Sequence, residues 1–393
     1  MSVLAADNKP IDCALPHTDN RINECTIVRQ ASEFPGCLSA SDLEGHTCVV
    51  MDTDLTFCQD QPPIPVSAYF DQSGKTLDCA GGTIHHGQSE NRKIPFVRLR
   101  DDESLSDITV RNCTMRSKSS VVAVQMIRFF GGELGADGVL DEGEVLPLGH
   151  HNILLEDLII QGGGVGIYVG NYSRDVTIQR VHIDQTKRIA IYSEAGSHRI
   201  SIIDSIITNN LSREAVALDS TYDSEIRDTL FVNNREGGIY LYQNCGELKG
   251  TVCPVERSTP SNNNRIIDNV FVHSGIAGVQ IASRQGRRHS LGWCQSLHGL
   301  PGLFTDTAQD NLIDGNVFVC REGTSLVVMD GPNTISNNLI VARDKCVPYE
   351  ISTGGLGNAA SGVLEGLMFN NNRIDSTRPP RLRNLGKGVS IVD

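Results

Sequence analysis

Short apolar segments with alternating polar positions recur at a nearly constant interval through the central and C-terminal parts of the chain. Over the clearest copies, each segment starts about 22 to 25 residues after the one before it. The segments begin at Ile108, Ile153, Val176, Ile200, Glu225, Arg265, Leu312 and Thr334. A period of this length matches one coil of a stacked solenoid, in which every repeat buries its apolar face against its neighbours.

Each repeat carries short strands with period-two alternation, interrupted by a polar residue, usually Asn or Asp, at the bend. A second strand follows about ten residues later, as at residues 166–169 and 238–241. The absence of a helical period between strands argues against βαβ units, and we expect Asn209, Asn233 and Asn234 to stack at one corner of successive coils. The pattern predicts an all-β chain that folds as a single-stranded right-handed parallel β-helix. An antiparallel sandwich, the alternative, would not need a fixed period.

Departures from the repeat divide the chain. Residues 1–75 lack the pattern, so we expect an N-terminal cap stapled by disulfides, with the β-helix covering residues 76–393. Insertions interrupt the coils at about residues 131–151, 243–262 and 283–310. The second and third follow the same strand of consecutive coils, which predicts that they lie side by side at one edge of one face. Long loops on a rigid scaffold commonly serve binding; the alternative is that they only protect the core.

The 12 cysteines are concentrated near the N-terminus and form no C-x-x-C pair there, which favours disulfides over metal ligation. The disulfide candidates are Cys13, Cys25, Cys37, Cys48, Cys58, Cys79, Cys245 and Cys253. Disulfides indicate an oxidising compartment, so we expect a secreted or periplasmic protein. Val3 and Ala5 fit the small-x-small pattern at the end of a signal peptide, which we expect to be removed.

Composition narrows the range of partners. The formal net charge is −13, which disfavours nucleic acid because phosphate contacts need a basic surface. No apolar run is long enough to cross a bilayer, so the sequence predicts no membrane span. Phosphate-binding glycine loops, nucleophile elbows and zinc spacings are also absent from the sequence.

The outward positions of the second strand are expected to stack in columns, one coil about 4.8 Å above the next. One column contains Tyr168, Tyr192, Ala217, Tyr240 and Gln280, and the next contains Gly170, Glu194, Asp219, Tyr242 and Ala282. Charged residues precede these strands at Lys187, Arg188, Arg213, Glu214, Arg235 and Glu236. Exposed tyrosines beside carboxylates and guanidinium groups are typical of a sugar-binding groove. The alternative is a solvated sheet face with no ligand.

The coil pattern, including the segment Leu77-Asp-Cys-Ala-Gly-Gly-Thr-Ile84, resembles the pectate-lyase-like superfamily of right-handed β-helix proteins. That superfamily includes polysaccharide lyases, uronan C5-epimerases and some glycosidases, and the resemblance covers about residues 75 to 393. The polygalacturonase signatures, the Arg-x-Pro-x-x-Arg pattern of pectate lyases and the Asp-Pro-His-Asp motif of alginate epimerases are missing. The resemblance therefore implies the fold and no particular substrate.

Two enzymatic interpretations follow for a polysaccharide or oligosaccharide substrate. β-Elimination or C5-epimerisation of a uronic-acid glycan needs a cation at the substrate carboxylate and a base at C5. Arg213, Arg235 or Arg284 could supply the cation, and Tyr240, Tyr192 or Lys187 the base or acid. No cofactor is required, although Ca²⁺ bound by Glu194 and Asp219 could replace the arginines.

In the second interpretation, Glu194 and Asp219, with Glu214, are the paired carboxylates of a glycoside hydrolase. The catalytic candidates are Tyr240, Tyr192, Asp219, Glu194, Arg213, Arg284 and Glu214, and the substrate-binding candidates are Tyr168, Tyr242, Lys187, Arg188, Arg235, Gln280 and Trp293. The net charge favours a neutral glycan or a Ca²⁺-assisted lyase. The local arginines favour an anionic glycan, and we lean slightly towards a lyase or epimerase. A non-catalytic glycan-binding protein is the third alternative.

Overall fold

The computed structural model describes residues 27–43, 47–85, 94–100, 103–118, 120–126, 149–170, 172–243, 259–273, 275–286, 306–354, 356, 362–385 and 388–392. Within these ranges the chain forms 35 strands in three parallel sheets and contains no α-helix. Two short 3-10 turns, Ala31–Glu33 and Ala40–Asp42, lie near the beginning. No helix in the described part of the chain is long and apolar enough to cross a membrane.

The strands are numbered in chain order and belong to sheets A, B and C. Sheet A contains β1 Ile27–Gln30, β2 Thr47–Val50, β4 Val66–Phe70, β7 Val97–Leu99, β10 Val122–Met126, β13 Val165–Val169, β16 Ile189–Glu194, β19 Val216–Asp219, β22 Gly237–Tyr242, β25 Ala277–Ile281, β28 Thr324–Val328, β31 Val347–Ser352 and β34 Arg381–Arg383. Sheet B contains β3 Leu55–Thr56, β5 Thr76–Asp78, β8 Ser106–Arg111, β11 His151–Glu156, β14 Arg174–Gln179, β17 His198–Ile203, β20 Glu225–Arg227, β23 Arg265–Ile267, β26 Asn311–Asp314, β29 Asn333–Ser336, β32 Met368–Asn370 and β35 Ser390–Val392. Sheet C contains β6 Thr83–His85, β9 Thr114–Ser117, β12 Ile159–Gly162, β15 His182–Asp184, β18 Ile206–Thr208, β21 Leu230–Val232, β24 Val270–His273, β27 Val317–Cys320, β30 Leu339–Ala342 and β33 Arg373–Ser376.

Each full coil runs from sheet B to sheet C to sheet A, and every strand pairs in parallel with its equivalents in the neighbouring coils. The fold is a right-handed parallel β-helix, as the sequence predicts. Inward side chains of equivalent strands stack along the axis. Phe231, Phe271 and Phe318, for example, have ring centroids 4.8 Å apart from coil to coil. Because each coil buries its apolar side chains against the next, the stack grows in length around one continuous core.

The stack begins upstream of residue 76, the boundary predicted from the sequence. β1, β2 and β4 belong to sheet A, and β3 belongs to sheet B, so the described part of the predicted cap consists of coils. The repeat is hidden here because β3 is only two residues long and the turn before β4 contains prolines in place of Asn or Asp. The connections between these strands are therefore irregular although the pairing is regular.

Polar residues organise the corners between sheets. At the bend between sheets B and C, residues such as Asp204 and Asp268 adopt a left-handed backbone with φ of 48° and 55°. The next residue points inward, and Asn269, Asn316 and Asn338 each donate a backbone N–H to the Oδ1 of the asparagine in the following coil, at 2.9 to 3.0 Å. These bonds satisfy backbone groups that would otherwise be buried without partners.

The corner that leads from sheet C to sheet A shows the predicted asparagine stacking. Asn209 and Asn233 have φ of 55° and 54°, and the neighbouring Asn210 donates its backbone N–H to Asn234 Oδ1 at 3.0 Å. The side-chain amide of Asn234 in turn donates to the carbonyl of Ile207 at 3.0 Å. Left-handed backbone and stacked amides therefore occur at equivalent positions of successive coils.

The insertions leave the coils at one corner, where sheet A strands lead to sheet B. The second and third insertions follow β22 and β25, which are neighbours in sheet A, so their starting points lie side by side. The chain returns to the stack through left-handed Asn263 and Asp310, with φ of 55° and 56°. The next residues, Asn264 and Asn311, point inward and are bonded to each other: the Asn264 N–H donates to Asn311 Oδ1 at 2.9 Å.

The described cysteines are oxidised. Cys37 bonds to Cys58, Cys79 to Cys113 and Cys320 to Cys346, and Cys48 is also disulfide-bonded. The predicted bonding of Cys37, Cys48, Cys58 and Cys79 is confirmed, whereas Cys113, Cys320 and Cys346 were not among the candidates. Cys13, Cys25, Cys245 and Cys253 lie outside the described residues. Disulfides of this kind form in oxidising, extracytoplasmic environments.

Candidate functional site

The two columns predicted on the outer face of sheet A are present in the predicted register. Tyr168, Tyr192, Ala217, Tyr240 and Gln280 are successive Cα partners from β13 to β25. In the next column, Glu194 pairs with Asp219 and Asp219 with Tyr242. Neighbouring strands in a sheet are about 4.8 Å apart, so each column brings side chains from different coils into contact.

These columns are more buried than the sequence predicts. Tyr242 is 1% exposed and Asp219 is fully buried, while Glu194 is 7% and Tyr240 8% exposed. Tyr168 and Tyr192 are half-buried. Part of the cover comes from the start of the third insertion, because the Arg284 guanidinium carbon lies 4.7 Å from the centroid of the Tyr242 ring. The prediction of a fully exposed tyrosine groove is therefore wrong for this part of the face.

Two tyrosines donate hydrogen bonds to carboxylates one coil further along the axis. The Tyr168 hydroxyl donates to Glu194, and the Tyr192 hydroxyl donates to Asp219 Oδ2 at 2.8 Å. The four residues form the centre of a cluster with Arg213, Glu214 and Tyr242, which we call the carboxylate–tyrosine cluster.

The other half of the cluster is built around Glu214. Glu214 Oε1 accepts the Tyr242 hydroxyl at 2.9 Å and Arg213 Nη2 at 2.7 Å, and the same guanidinium lies 3.1 Å from the Tyr242 hydroxyl oxygen. Burial, followed by the nearby Glu214 and Asp219 charges, raises the pKa of Tyr242 well above its usual value. Tyr242 is therefore a neutral hydrogen-bond donor, and Arg213 balances the charge of Glu214.

Three of the predicted site residues do not converge on this cluster. The Tyr240 hydroxyl donates to the main-chain carbonyl of Glu236 at 2.5 Å, at the corner before β22. Lys187 Nζ donates to the carbonyl of Lys118 at 2.6 Å, and Arg188 is exposed beside it. Lys187 and Arg188 lie at the corner before β16, and the hydroxyl of Tyr240 is bonded to the corner before β22.

An open groove continues the same face beyond the cluster, with a volume of about 730 Å³. Two predicted binding residues, Arg235 and Gln280, line it. The remaining lining residues are Glu236, Gly275, Ile276, Glu322, Gly323, Thr324, Val327, Met329, Lys345, Glu350 and Arg381. Three cations and three carboxylates alternate around an aliphatic floor, so the groove has no net formal charge.

Two buried carboxyl groups near the insertions were not predicted from the sequence. Burial is the main cause that raises the pKa of Asp306, to about 7, and the charge of Asp219 adds to the effect. Burial also raises the pKa of Asp330 well above its usual value. Asp306 lies near the end of the third insertion, and Asp330 lies shortly after β28. Neither residue has a fixed place in the repeat. Only their position just before the chain returns to the stack could have drawn attention to them.

The described residues contain no group of three or more His, Cys, Asp or Glu side chains that could bind a metal ion. Glu194 and Asp219 could supply two carboxylates, and both already accept a tyrosine hydroxyl. A Ca²⁺ site at this pair stays a prediction. Trp293 lies outside the described residues.

The family described as "Right handed beta helix region" matches residues 97–287 of the chain. None of the curated proteins matches the sequence. Among solved structures, the chain is similar to the A-module of the Azotobacter vinelandii mannuronan C-5 epimerase AlgE6, with 11% identity, coverage of 93% of this chain and 98% of that chain, and a TM-score of 0.47. It is also similar to the tailspike protein of Escherichia coli bacteriophage HK620 (9% identity, coverage of 86% and 59%, TM-score 0.42) and to a Yersinia enterocolitica family 28 exopolygalacturonase (8%, 92% and 79%, 0.39). At these identities the likeness concerns the β-helix alone.

Proposed function

The chain is a right-handed parallel β-helix protein, and we propose that it hydrolyses a glycan bound along the outer face of sheet A. The observation that carries this proposal is the pair of register-matched carboxylates, Glu194 and Asp219, each of which accepts a tyrosine hydroxyl from the preceding coil. Two carboxyl groups at the scissile bond are the usual requirement for glycoside hydrolysis. One group protonates the leaving oxygen, and the other attacks the sugar or activates water.

The register places the two side chains on neighbouring strands. Cα partners on neighbouring strands are about 4.8 Å apart, so Glu194 and Asp219 could hold their carboxyl groups at either the shorter retaining or the longer inverting separation. Glu194 is the more exposed of the two, and the half-buried Tyr168 and Tyr192 lie beside it. The substrate therefore meets Glu194 first, with Asp219 beside it in the next coil.

β-Elimination or C5-epimerisation, the preferred interpretation of the sequence, is the second candidate. Arg213 and Arg284 favour it, because they could face a uronate carboxylate. Two contacts weigh against it. The tyrosines that were candidate bases donate their hydroxyl protons to Asp219 and to a carbonyl, and a phenolate beside these acceptors would be repelled. The charge of Arg213 is already balanced by Glu214 at 2.7 Å.

The open groove supports glycan binding next to the cluster. Its mixed charges and aliphatic floor, including Ile276 and Val327, can bond to hydroxyl groups and pack against the apolar faces of sugar rings. Because its formal charge is balanced, a neutral glycan fits it better than a polyanion. The disulfides favour a secreted or periplasmic location for this activity.

The test is an incubation with a panel of neutral and uronic-acid glycans, with Ca²⁺ or with a chelator. Release of reducing ends and the ultraviolet absorbance of unsaturated products are followed together. Hydrolysis predicts reducing ends without absorbance. Absorbance that rises with the reducing ends would instead establish elimination. Neither reducing ends nor absorbance from any glycan, with binding retained, would leave C5-epimerisation or a non-catalytic glycan-binding protein and would contradict the proposal.

A further inference from the structure

One buried carboxylate, Asp306, joins the starting points of two insertions. Its Oδ1 accepts the backbone N–H of Gln243 at 2.6 Å, and its Oδ2 accepts the backbone N–H of Arg284 at 2.7 Å. Gln243 directly follows β22, and Arg284 lies shortly after β25 in the next coil. Asp306 is itself fully buried. A single side chain therefore bridges two coils where their insertions leave the stack.

The bridge is held in place from a third coil. The backbone N–H of Asp306 donates to Gln285 Oε1 at 2.7 Å, and Gln285 Nε2 donates to the carbonyl of Met329 at 3.1 Å. Met329 directly follows β28, the next strand of sheet A. Because Gln285 is also buried, neither the main chain nor the side chain of Asp306 can turn away without loss of these bonds.

The bridge leads to the carboxylate–tyrosine cluster through Arg284. The Arg284 guanidinium carbon lies 4.7 Å from the Tyr242 ring centroid, and Tyr242 donates to Glu214 at 2.9 Å. The bond from the Arg284 N–H to Asp306 fixes the main chain from which this side chain extends. A shift of that main chain would move the guanidinium relative to Tyr242.

We propose that Asp306 is a positioning residue for the carboxylate–tyrosine cluster, which holds the main chain of Gln243 and Arg284 and so keeps the Arg284 guanidinium over Tyr242. A role of Asp306 in catalysis rests on the function proposed above. The hydrogen bonds of Asp306 are the same whichever reaction takes place. Asp306 positions the cluster through Arg284, and its charge also faces that of Asp219.

The charge state of Asp306 makes the bridge sensitive to pH. Burial raises the pKa of Asp306 to about 7, with Asp219 acting in the same direction and Arg284 and the two backbone N–H groups opposing it. The buried carboxyl group of Asp330 also interacts electrostatically with Asp306. The ionised form accepts both N–H groups through charge-assisted hydrogen bonds, and the protonated form accepts them more weakly. The bridge therefore strengthens as the pH rises through about 7.

The experiment is amide hydrogen exchange of the whole protein, read as protection factors for Gln243 and Arg284 from about pH 6 to about pH 8. Wild type, Asp306→Asn and Asp330→Asn are compared. Asp330 is the control, because it is also buried and accepts the Ala308 N–H at 2.9 Å; loss of its charge should move the pH-dependent rise to lower pH without abolishing it. We expect protection to rise with pH in wild type and Asp330→Asn. In Asp306→Asn we expect exchange about tenfold to a hundredfold faster at the upper pH, without the rise.

Unchanged protection in a folded Asp306→Asn variant would overturn the proposal, and so would an equal loss in Asp330→Asn. If Asp306→Asn does not fold, the wild-type profile decides, since flat protection across neutral pH overturns the proposal without any variant. No glycan is present in these measurements. A protein that cleaves no glycan can still show the bridge, and an active hydrolase with a flat profile would contradict only the role of Asp306.

Discussion

The outer face of sheet A has a closed half and an open half. Around β16, β19 and β22 most outward side chains are buried and bonded to one another, and the half-buried Tyr192 donates to the buried Asp219. Around β25, β28 and β31 the same column continues through Gln280, Val327 and Glu350, which line an open groove. The register is identical in both halves. What differs is the connection that follows each strand, because the start of the third insertion covers Tyr242.

This difference separates two tasks on one face. Burial strengthens electrostatic interactions, which suits acid–base chemistry at Glu194 and Asp219. The open half has a weak ion pair, Arg381 to Glu350 at 3.5 Å with Arg381 about half exposed, which suits reversible contacts with a ligand. We therefore expect substitutions in the closed half to change turnover and substitutions in the open half to change affinity.

The largest effect is expected from the carboxylate pair. Glu194→Gln and Asp219→Asn remove ionisable groups while they keep the side-chain shapes, so each should lower kcat by about 10²- to 10⁴-fold on the cleaved glycan. Release of reducing ends measures the rate. Glu225→Gln is the matched control, because Glu225 lies in sheet B and pairs with Arg265 at 3.2 Å. Turnover at the wild-type rate in either site variant would show that the closed half is not the reaction centre.

A second effect concerns stability in the closed half. The pKa of Asp306 is raised from 3.8 to about 7, so the folded state binds this proton more tightly than the unfolded state. The stabilisation is fully present below about pH 4 and is lost as the pH rises through about 7, with a maximum near 4 kcal/mol for about three pKa units. Asp306→Asn should lack this slope.

Urea unfolding gives the free energy of unfolding of wild type and of Asp306→Asn at about pH 4.5 and about pH 8. The effect is the amount by which the difference between the two proteins changes from one pH to the other. Asp310→Asn serves as the control, since Asp310 is exposed in the turn before β26. A difference between wild type and Asp306→Asn that is the same at both pH values would refute the prediction. Stability and positioning have opposite pH dependence here, because deprotonation costs folding energy while it strengthens the bridge.

A smaller effect should distinguish two tyrosines of one column. Tyr192→Phe removes the hydroxyl bonded to Asp219 at 2.8 Å, and we expect kcat to fall about tenfold. Tyr240→Phe removes a bond to the main-chain carbonyl of Glu236, and kcat should stay within about twofold. Steady-state kinetics on the same glycan compare the two variants. A larger loss for Tyr240→Phe than for Tyr192→Phe would place the chemistry near the corner before β22 and not at the carboxylate pair.

The smallest effect is expected in the open half. Arg381→Ala and Lys345→Ala should each raise KM about fivefold with kcat nearly unchanged, because an exposed hydrogen bond to a ligand contributes about 1 kcal/mol. Arg227→Ala, on sheet B, is the matched control for loss of one surface cation. A fall in kcat with constant KM would mean that the groove takes part in the reaction and that the division between the halves is incorrect.

The sequence predicts the columns well because the repeat imposes the register. Once each coil is aligned, Tyr168 must lie beside Tyr192, and Glu194 beside Asp219, since parallel pairing repeats the same offset at every coil. Cys79 and Cys113 lie at the same corner of neighbouring coils, but Cys79 follows Asp78 by one residue and Cys113 follows its partner Arg111 by two, so the alignment alone does not pair them.

The exposure of the face and the role of Asp306 could not be predicted in this way. Gln243 and Asp306 are 63 residues apart and belong to segments without a period, so no alignment brings them together. The burial of Tyr242 depends on Arg284, which follows β25 and folds back over a ring in another coil. Alternation within a strand indicates which way a side chain points, and only the tertiary structure shows what lies above it.

The points where the chain returns to the stack have a consequence for how this protein can diversify. After each of the two insertions, a left-handed residue and an inward asparagine, Asn264 or Asn311, restore the register through bonds to the adjacent coils. The segment between β22 and Asn263 can therefore be lengthened, shortened or exchanged while the core keeps its alignment. Specificity and scaffold are separate modules, and grafting an insertion from a related β-helix between these two fixed points should transfer a new ligand preference without redesign of the coils.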